Sequence, residues 1–279
     1  LSVIRAKFIR GEEIKYISHL DLMKAFERAI RRAEIPIAYS QGFNPHPHMV
    51  FGLPLSVGVT SQAEYGDFEL SQPMNAGEFM GTLNKELPPW LKIIEAGEKR
   101  SGNNIMASIA AACYDILLSS ELKTSRAFIE DKITELLMKP EITVKKTSKR
   151  GIREVDIRPM IHRVSFKELN GDNCEQRKDG GLCVGGEPPV SDSGLWLKKY
   201  IDGLSDPKLL EPSWPVENIF CLSVLLSAGS SQNLKPEIFA DAFLELLGQR
   251  GGLVKIHRTE LFTSLGGNLA SPLDNGVIE

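Results

Sequence analysis

Residues 16–36, YISHLDLMKAFERAIRRAEIP, decide the fold. Ser18 followed by Asp21 is an N-cap with an acidic residue in the first helical turn. Leu20, Met23, Phe26, Ile30 and Ala33 recur at three-four spacing and form the expected buried stripe of a helix that Pro36 closes. Upstream, residues 3–10 alternate apolar and polar as a half-buried strand does. Downstream come extended pieces at 37–40, 49–51 and 64–70, a second helix over 76–86 and a closing strand over 91–96. The order β-α-β-β-α-β is that of a ferredoxin-like, split βαβ sandwich.

A similar order recurs. Residues 112–119 read as a strand and 124–138 as a helix with Phe128, Ile129, Ile133, Leu136 and Leu137 inward. EITVKKTSKRGIREVDIRPMIHRVSF reads as a hairpin turning near Gly151. A glycine- and proline-rich stretch then intervenes, with few core candidates except Trp196 and Trp214 as anchors of its far end. ENIFCLSVLLS, KPEIFADAFLELLG and GLVKIHRTEL read as strand, helix and strand, with Pro236 opening the helix. The expected class is α+β, tandem ferredoxin-like sandwiches with antiparallel sheets. The expected domains are 1–100 and 108–265, with a flexible insertion at about 170–214 and a weakly ordered tail at 266–279.

Composition is that of a globular chain: 42% hydrophobic and 25% charged over 279 residues, with a net charge of -3. No apolar run is long enough to span a membrane, and the opening residues read as a strand rather than a secretory signal. Cys113, Cys174, Cys183 and Cys221 form no metal-binding spacing and read as reduced thiols of a cytoplasmic protein.

Four places carry chemistry. On the first helix, Lys24, Arg28, Arg31 and Arg32 crowd the side opposite the apolar stripe, with His19 and Asp21 in the first turn. An exposed helix face is ordinarily charged, and Glu27–Arg31 is an i,i+4 pair. The second is the loop QGFNPHPHMVFG, residues 41–52, which two prolines stiffen. Gln41, Asn44 and His46 are expected to face outward as a prepared contact surface, sharing one solvent-open cleft with the cationic side of the first helix, with Phe43 a face on which a base can stack. His46 and His48 form a His-x-His pair, a metal pattern that also arises by accident; no metal or other cofactor is expected. The third is the hairpin, where Lys145, Lys146, Lys149, Arg150, Arg153, Arg158 and Arg163 face only Glu154 and Asp156. Lysines on an edge hairpin also prevent sheet-to-sheet pairing. Asp156 and Arg158 either brace each other or grip a ligand. SAGSSQNLKP, with Asn233, is a small-residue loop opening onto a helix start, where an anion can sit. No Gly-x-Ser-x-Gly or paired cysteine marks a nucleophile, and no catalytic residue is assigned.

YISHLDLMKAFERAIRRAEIPIAYSQGFNPHPHMVFGLPLSVGVTSQAEY, KTSKRGIREVDIRPMI and LLSAGSSQNLKPE together resemble the radical SAM-linked protein family, a group of unknown function found alone or fused behind a radical SAM enzyme. Ser18, His19, Asp21, Arg28, Arg31, Arg32, the run from Gln41 to Pro47, Asp156, Arg158, Asn233 and Pro236 match its pattern. His48 stands where the family usually has lysine, which disfavours the metal. The resemblance implies proximity to genes for an RNA-cleaving enzyme and ribosomal proteins, hence RNA, and a radical SAM enzyme as partner. This chain has no CxxxCxxC triad for an iron–sulfur cluster.

The leading expectation is an RNA-binding accessory that presents a structured RNA, transfer or ribosomal, to a radical SAM modification partner. Its contacts would be His19, Asp21, Arg28, Arg31, Arg32, Gln41, Phe43, Asn44, His46, Lys149, Arg153, Asp156, Arg158 and Asn233. One alternative is a metal-independent RNA endonuclease with His19 and His46 as acid and base, by analogy with CRISPR repeat-processing enzymes. The other is a protein-interaction module for a radical SAM enzyme that binds no nucleic acid.

Overall fold

The computed structural model describes residues 2–99, 102–148, 151–167, 169, 196, 200, 218–230, 232–274 and 277–278. It is a mixed α+β protein with a large, mostly antiparallel sheet and few helices. The chain divides into two compact units. Residues 1–112, 228–231 and 257–279 form the first, and residues 113–227 and 232–256 the second.

In the first unit the order is β1 (Ser2–Arg10), α1 (His19–Arg32), β2 (Met49–Phe51), β3 (Thr60–Leu70), α2 (Ala76–Glu86) and β4 (Ile93–Lys99). β1 pairs antiparallel with both β3 and β4, and β2 pairs antiparallel with β3, giving β4-β1-β3-β2. Ser18 caps α1, its hydroxyl accepting from the Asp21 amide. Glu34, with φ of 52°, closes the helix in the left-handed region, and the Ile35 amide donates to the Ile30 carbonyl. This turn ends α1 at Arg32, before Pro36 acts. The buried stripe is Leu22, Phe26, Ala29 and Ile30. Leu20, expected in that stripe, is 66% exposed, and Leu22 is the residue that packs inward.

Phe8, Phe26, Phe51, Phe68 and Phe79 form one aromatic cluster between sheet and helices, with Phe8 and Phe26 centroids 5.0 Å apart. Each buried ring contributes roughly 1.5–3 kcal/mol. On the opposite face Arg5 and Asp67 stand directly across from each other in the β1/β3 register, 1% and 5% exposed. The Arg5 Nε donates to Asp67 Oδ1 at 2.7 Å and Nη2 to Oδ2 at 3.0 Å. Arg5 also donates to the Pro272 and Asn103 carbonyls, and Asp67 Oδ2 accepts from the Ile105 amide at the start of α3 (Ile105–Ser108).

The second unit takes in β5 (Ile109–Ser120) from Cys113 onward, α4 (Arg126–Met138), β6 (Thr143–Ser148), β7 (Gly151–Asp156), β8 (Ile161–Lys167), β9 (Ile219–Ser227), α5 (Pro236–Leu247) and β10 (Gly251–Leu265) as far as Ile256. Its strand order is β10-β5-β9-β8. On α4 the buried residues are Ile129, Ile133 and Leu136; Phe128 and Leu137, expected inward, are half-buried. The Trp196 indole donates to Asp115 Oδ2 at 3.2 Å, the same oxygen that Lys167 reaches at 2.6 Å. Apart from Trp196 and Tyr200, the insertion, Trp214 included, lies outside the described residues. In the first unit, residues after Leu265 continue as β11 (Asn268–Ala270), which pairs β10, then as β12 (Val277–Ile278), which pairs β4. No helix among the described residues is long and apolar enough to cross a membrane.

Lys255 of β10 is 6% exposed, its ammonium 4.2 Å from the Tyr200 ring centroid. The ring favours the charged form, but burial dominates and brings the pKa from 10.5 down to about 8. Between those values the unfolded chain holds a proton that the folded one lacks, so stability rises with pH across that window. Lys255→Met is expected to be more stable than wild type at pH 7 and to have lost the gain on going to pH 10. Urea unfolding at the two pH values measures both; a wild type without that gain contradicts the burial argument.

Candidate functional site

The loop between α1 and β2 is built as two extended arms. The Ala38 amide donates to the Glu69 carbonyl, the His48 amide to the Ala38 carbonyl and the Ser40 amide to the His46 carbonyl, all at 2.8–2.9 Å. The Ser40 hydroxyl accepts from the His46 amide at 3.0 Å. Gln41 to Pro45 thus become a protruding tip, every residue exposed, turning on Gly42 with φ of 130°. Phe43 is fully exposed at 106%. Proline has no N–H to bond, so Pro45 and Pro47 fix the route without offering donors. His46 is exposed, as is His48, whose Nδ1 lies 3.0 Å from Glu69 Oε2.

Beside the arms lies a cleft of about 360 Å³. Ser40, His46, Pro47 and His48 line it from the loop. Val3, Val50, Asp67, Glu69 and Lys99 line it from the strands. No α1 residue does so, which corrects the expectation that the loop and the cationic side of α1 share one cleft. Strand alternation explains this: Phe51 turns into the core with α1, and Val50 turns the other way.

His19 is half-buried, edge-on to the Phe51 ring at 6.0 Å, so only His46 of the two acid–base candidates lines the cleft. Asp21 accepts from the Ser18 hydroxyl at 2.7 Å, a bond that lowers its pKa, and it completes the helix cap. Arg32 is taken up by Glu86, donating to its carboxylate and its carbonyl at 2.7 Å each, and so ties α1 to α2. Arg31 reaches Glu27 at 3.3 Å, and Arg28 is exposed.

The basic hairpin forms as expected, β6 against β7, as a two-stranded sheet of its own. Its register sets Lys145 against Glu154 but Lys146 against Arg153. Lys145, Lys146 and Arg153 are exposed; Lys149 and Arg150 lie outside the described residues. Asp156 and Arg158 clamp its base. Asp156 Oδ1 accepts from the Ile142 and Arg158 amides at 2.9 Å. The Arg158 guanidinium donates to the Leu137 and Ile161 carbonyls. Their hydrogen bonds are thus spent within the unit.

Asn233 is exposed just ahead of α5, whose N-cap Lys235 offers no side-chain bond. Gly229, with φ of 143°, passes so close to the Ile109 carbonyl that a Cβ would sit 2.4 Å from its oxygen. Among the described residues no cluster of histidine, cysteine, aspartate or glutamate can hold a metal ion. Sequence reasoning missed Glu69 and Lys99. Both sit on strands, and only pairing brings them to His48.

A family model described as an uncharacterized protein conserved in bacteria (DUF2344) matches residues 4–183. Among curated proteins none matches the chain. Among solved structures, a Cbf5-Nop10-Gar1 complex is similar at 10% identity and TM-score 0.44, over 93% of this chain and 48% of that one. An H/ACA RNP bound to a substrate RNA is similar at 9% identity and TM-score 0.41, over 92% and 46%. The chain spans about half the length of these two matches. An unknown protein from Galdieria sulphuraria is similar at 8% identity and TM-score 0.21, over 90% and 96%. At such scores nothing of those complexes' chemistry transfers.

Proposed function

We propose that this chain, which belongs to the DUF2344 family of uncharacterized proteins conserved in bacteria, is an RNA-binding accessory protein of the cytoplasm that grips phosphates with the β6–β7 hairpin. The observation that carries the reading is Lys146 directly across from Arg153 on a ribbon that no other strand joins among the described residues. Like charges in that relation destabilise a hairpin, and a two-stranded ribbon is marginal to begin with. A polyanion laid across them turns the repulsion into binding. The exposed tip with Gln41, Phe43 and Asn44 adds hydrogen bonding and a stacking face, as single-stranded RNA requires.

We read both units as ferredoxin-like, which the matching strand orders β4-β1-β3-β2 and β10-β5-β9-β8 support. Delivery of the RNA to a radical SAM partner rests on the sequence resemblance. The test is a gel shift of labelled transfer RNA over a salt series. With about three phosphates engaged, log affinity against log salt is expected to fall with a slope of about -2 to -3. A flat line overturns the RNA reading and leaves the protein-interaction module.

A further inference from the structure

We propose that the cleft beside the Ser40–His48 arms is a nucleobase pocket that takes guanine in preference to the other bases. The inference rests on the RNA reading for its biological sense, and its geometry stands by itself. The cleft, at about 360 Å³, lies within the range of small-molecule pockets, roughly 300–1,000 Å³. Its walls are of two kinds. Val3, Pro47, Met49 and Val50 are apolar surfaces against which a flat ring packs. Ser40, Glu69 and Lys99 bring polar groups to the same space.

Glu69 sets the preference. Its Oε2 meets His48 Nδ1 at 3.0 Å, which fixes the carboxylate, while Oε1 has no hydrogen-bond partner among the described residues. The Asp67 carboxylate is consumed by Arg5 and the Ile105 amide, so Glu69 is the carboxylate of the cleft left for a ligand. An ionised carboxylate only accepts, and it therefore reads an edge of adjacent N–H groups. Guanine alone among the four bases presents two such donors side by side on its Watson–Crick edge, N1–H and the exocyclic amine. Adenine and cytosine set an acceptor nitrogen beside the amine, and uracil flanks its one N–H with carbonyls. On the opposite side, Lys99 donates to the Gly102 carbonyl at 2.9 Å and keeps its remaining protons for a phosphate or the guanine O6. A base splayed out of a single strand fits such a pocket.

The probe is guanosine 5′-monophosphate, titrated by calorimetry into the full chain beside the adenosine, cytidine and uridine monophosphates. Guanosine monophosphate is expected to bind at least about tenfold more tightly than the others, the scale of one bidentate pair. Glu69→Gln places an amide donor against N1–H and is expected to abolish that preference, with the unfolding midpoint unchanged. Val50→Trp, which fills the cleft, is expected to weaken all four. Equal binding of the four nucleotides, no binding, or a Glu69→Gln protein that keeps the preference overturns the pocket. Guanosine monophosphate binding without transfer RNA binding overturns the RNA reading and leaves the pocket standing.

Discussion

Asp67→Ala is expected to cost about 3–5 kcal/mol of unfolding free energy, the scale for breaking a buried ion pair from one side. The reason is the charge left behind. Arg5 is 1% exposed, and the Pro272 and Asn103 carbonyls that it also reaches satisfy protons but carry no net negative charge. The Ile105 amide loses its acceptor as well, so the tie between β3 and the start of α3 goes with the pair. Urea denaturation of wild type and variant measures the loss as a lower midpoint. The double change Arg5→Met with Asp67→Leu removes both charges at once and is expected to recover most of it, since apolar replacement of a buried pair is often neutral. A single variant within 1 kcal/mol of wild type overturns the account.

That pair also shows where sequence reading stops. Arg5 and Asp67 sit at positions of β1 and β3 that alternation assigns to the polar face. On a two-layer sandwich a polar face reads as solvated. Here the segments carrying Asn103 and Pro272 cover it, and nothing local in either strand announces a cover that arrives from such distances along the chain. The cleft was hidden for the same reason: His48, Glu69 and Lys99 meet only once β3 and β4 are paired through β1. What was legible was local. The cap at Ser18, the helix over Ala76–Glu86, the turn near Gly151 and Pro236 at the start of α5 each follow from a few neighbouring residues. Leu20 marks the boundary between the two kinds of information. Spacing put Leu20 at the head of the stripe, and packing against the sheet chose Leu22 instead.

Lys146→Glu is expected to separate the two reasons a hairpin can be basic. The change replaces a like-charge pair by an opposite-charge one facing Arg153, a cross-strand exchange that favours the fold by about 0.2–1 kcal/mol. The variant therefore folds at least as well as wild type, and thermal unfolding checks this. On the proposed RNA reading, the same change removes one phosphate contact and sets a repulsive charge in its place. Removing the contact makes the salt slope shallower by about 1, and the reversal is expected to weaken transfer RNA binding about tenfold or more at low salt. If the lysines serve only to keep the ribbon from pairing with other sheets, a glutamate does that equally well, and both affinity and slope stay where they were. Greater stability with weaker binding would mean that Lys146 is kept for a ligand at a cost to the hairpin. The clamp formed by Asp156 and Arg158 is what lets the ribbon bear that cost, because it fixes the base of the hairpin to the end of α4 independently of the charges farther out.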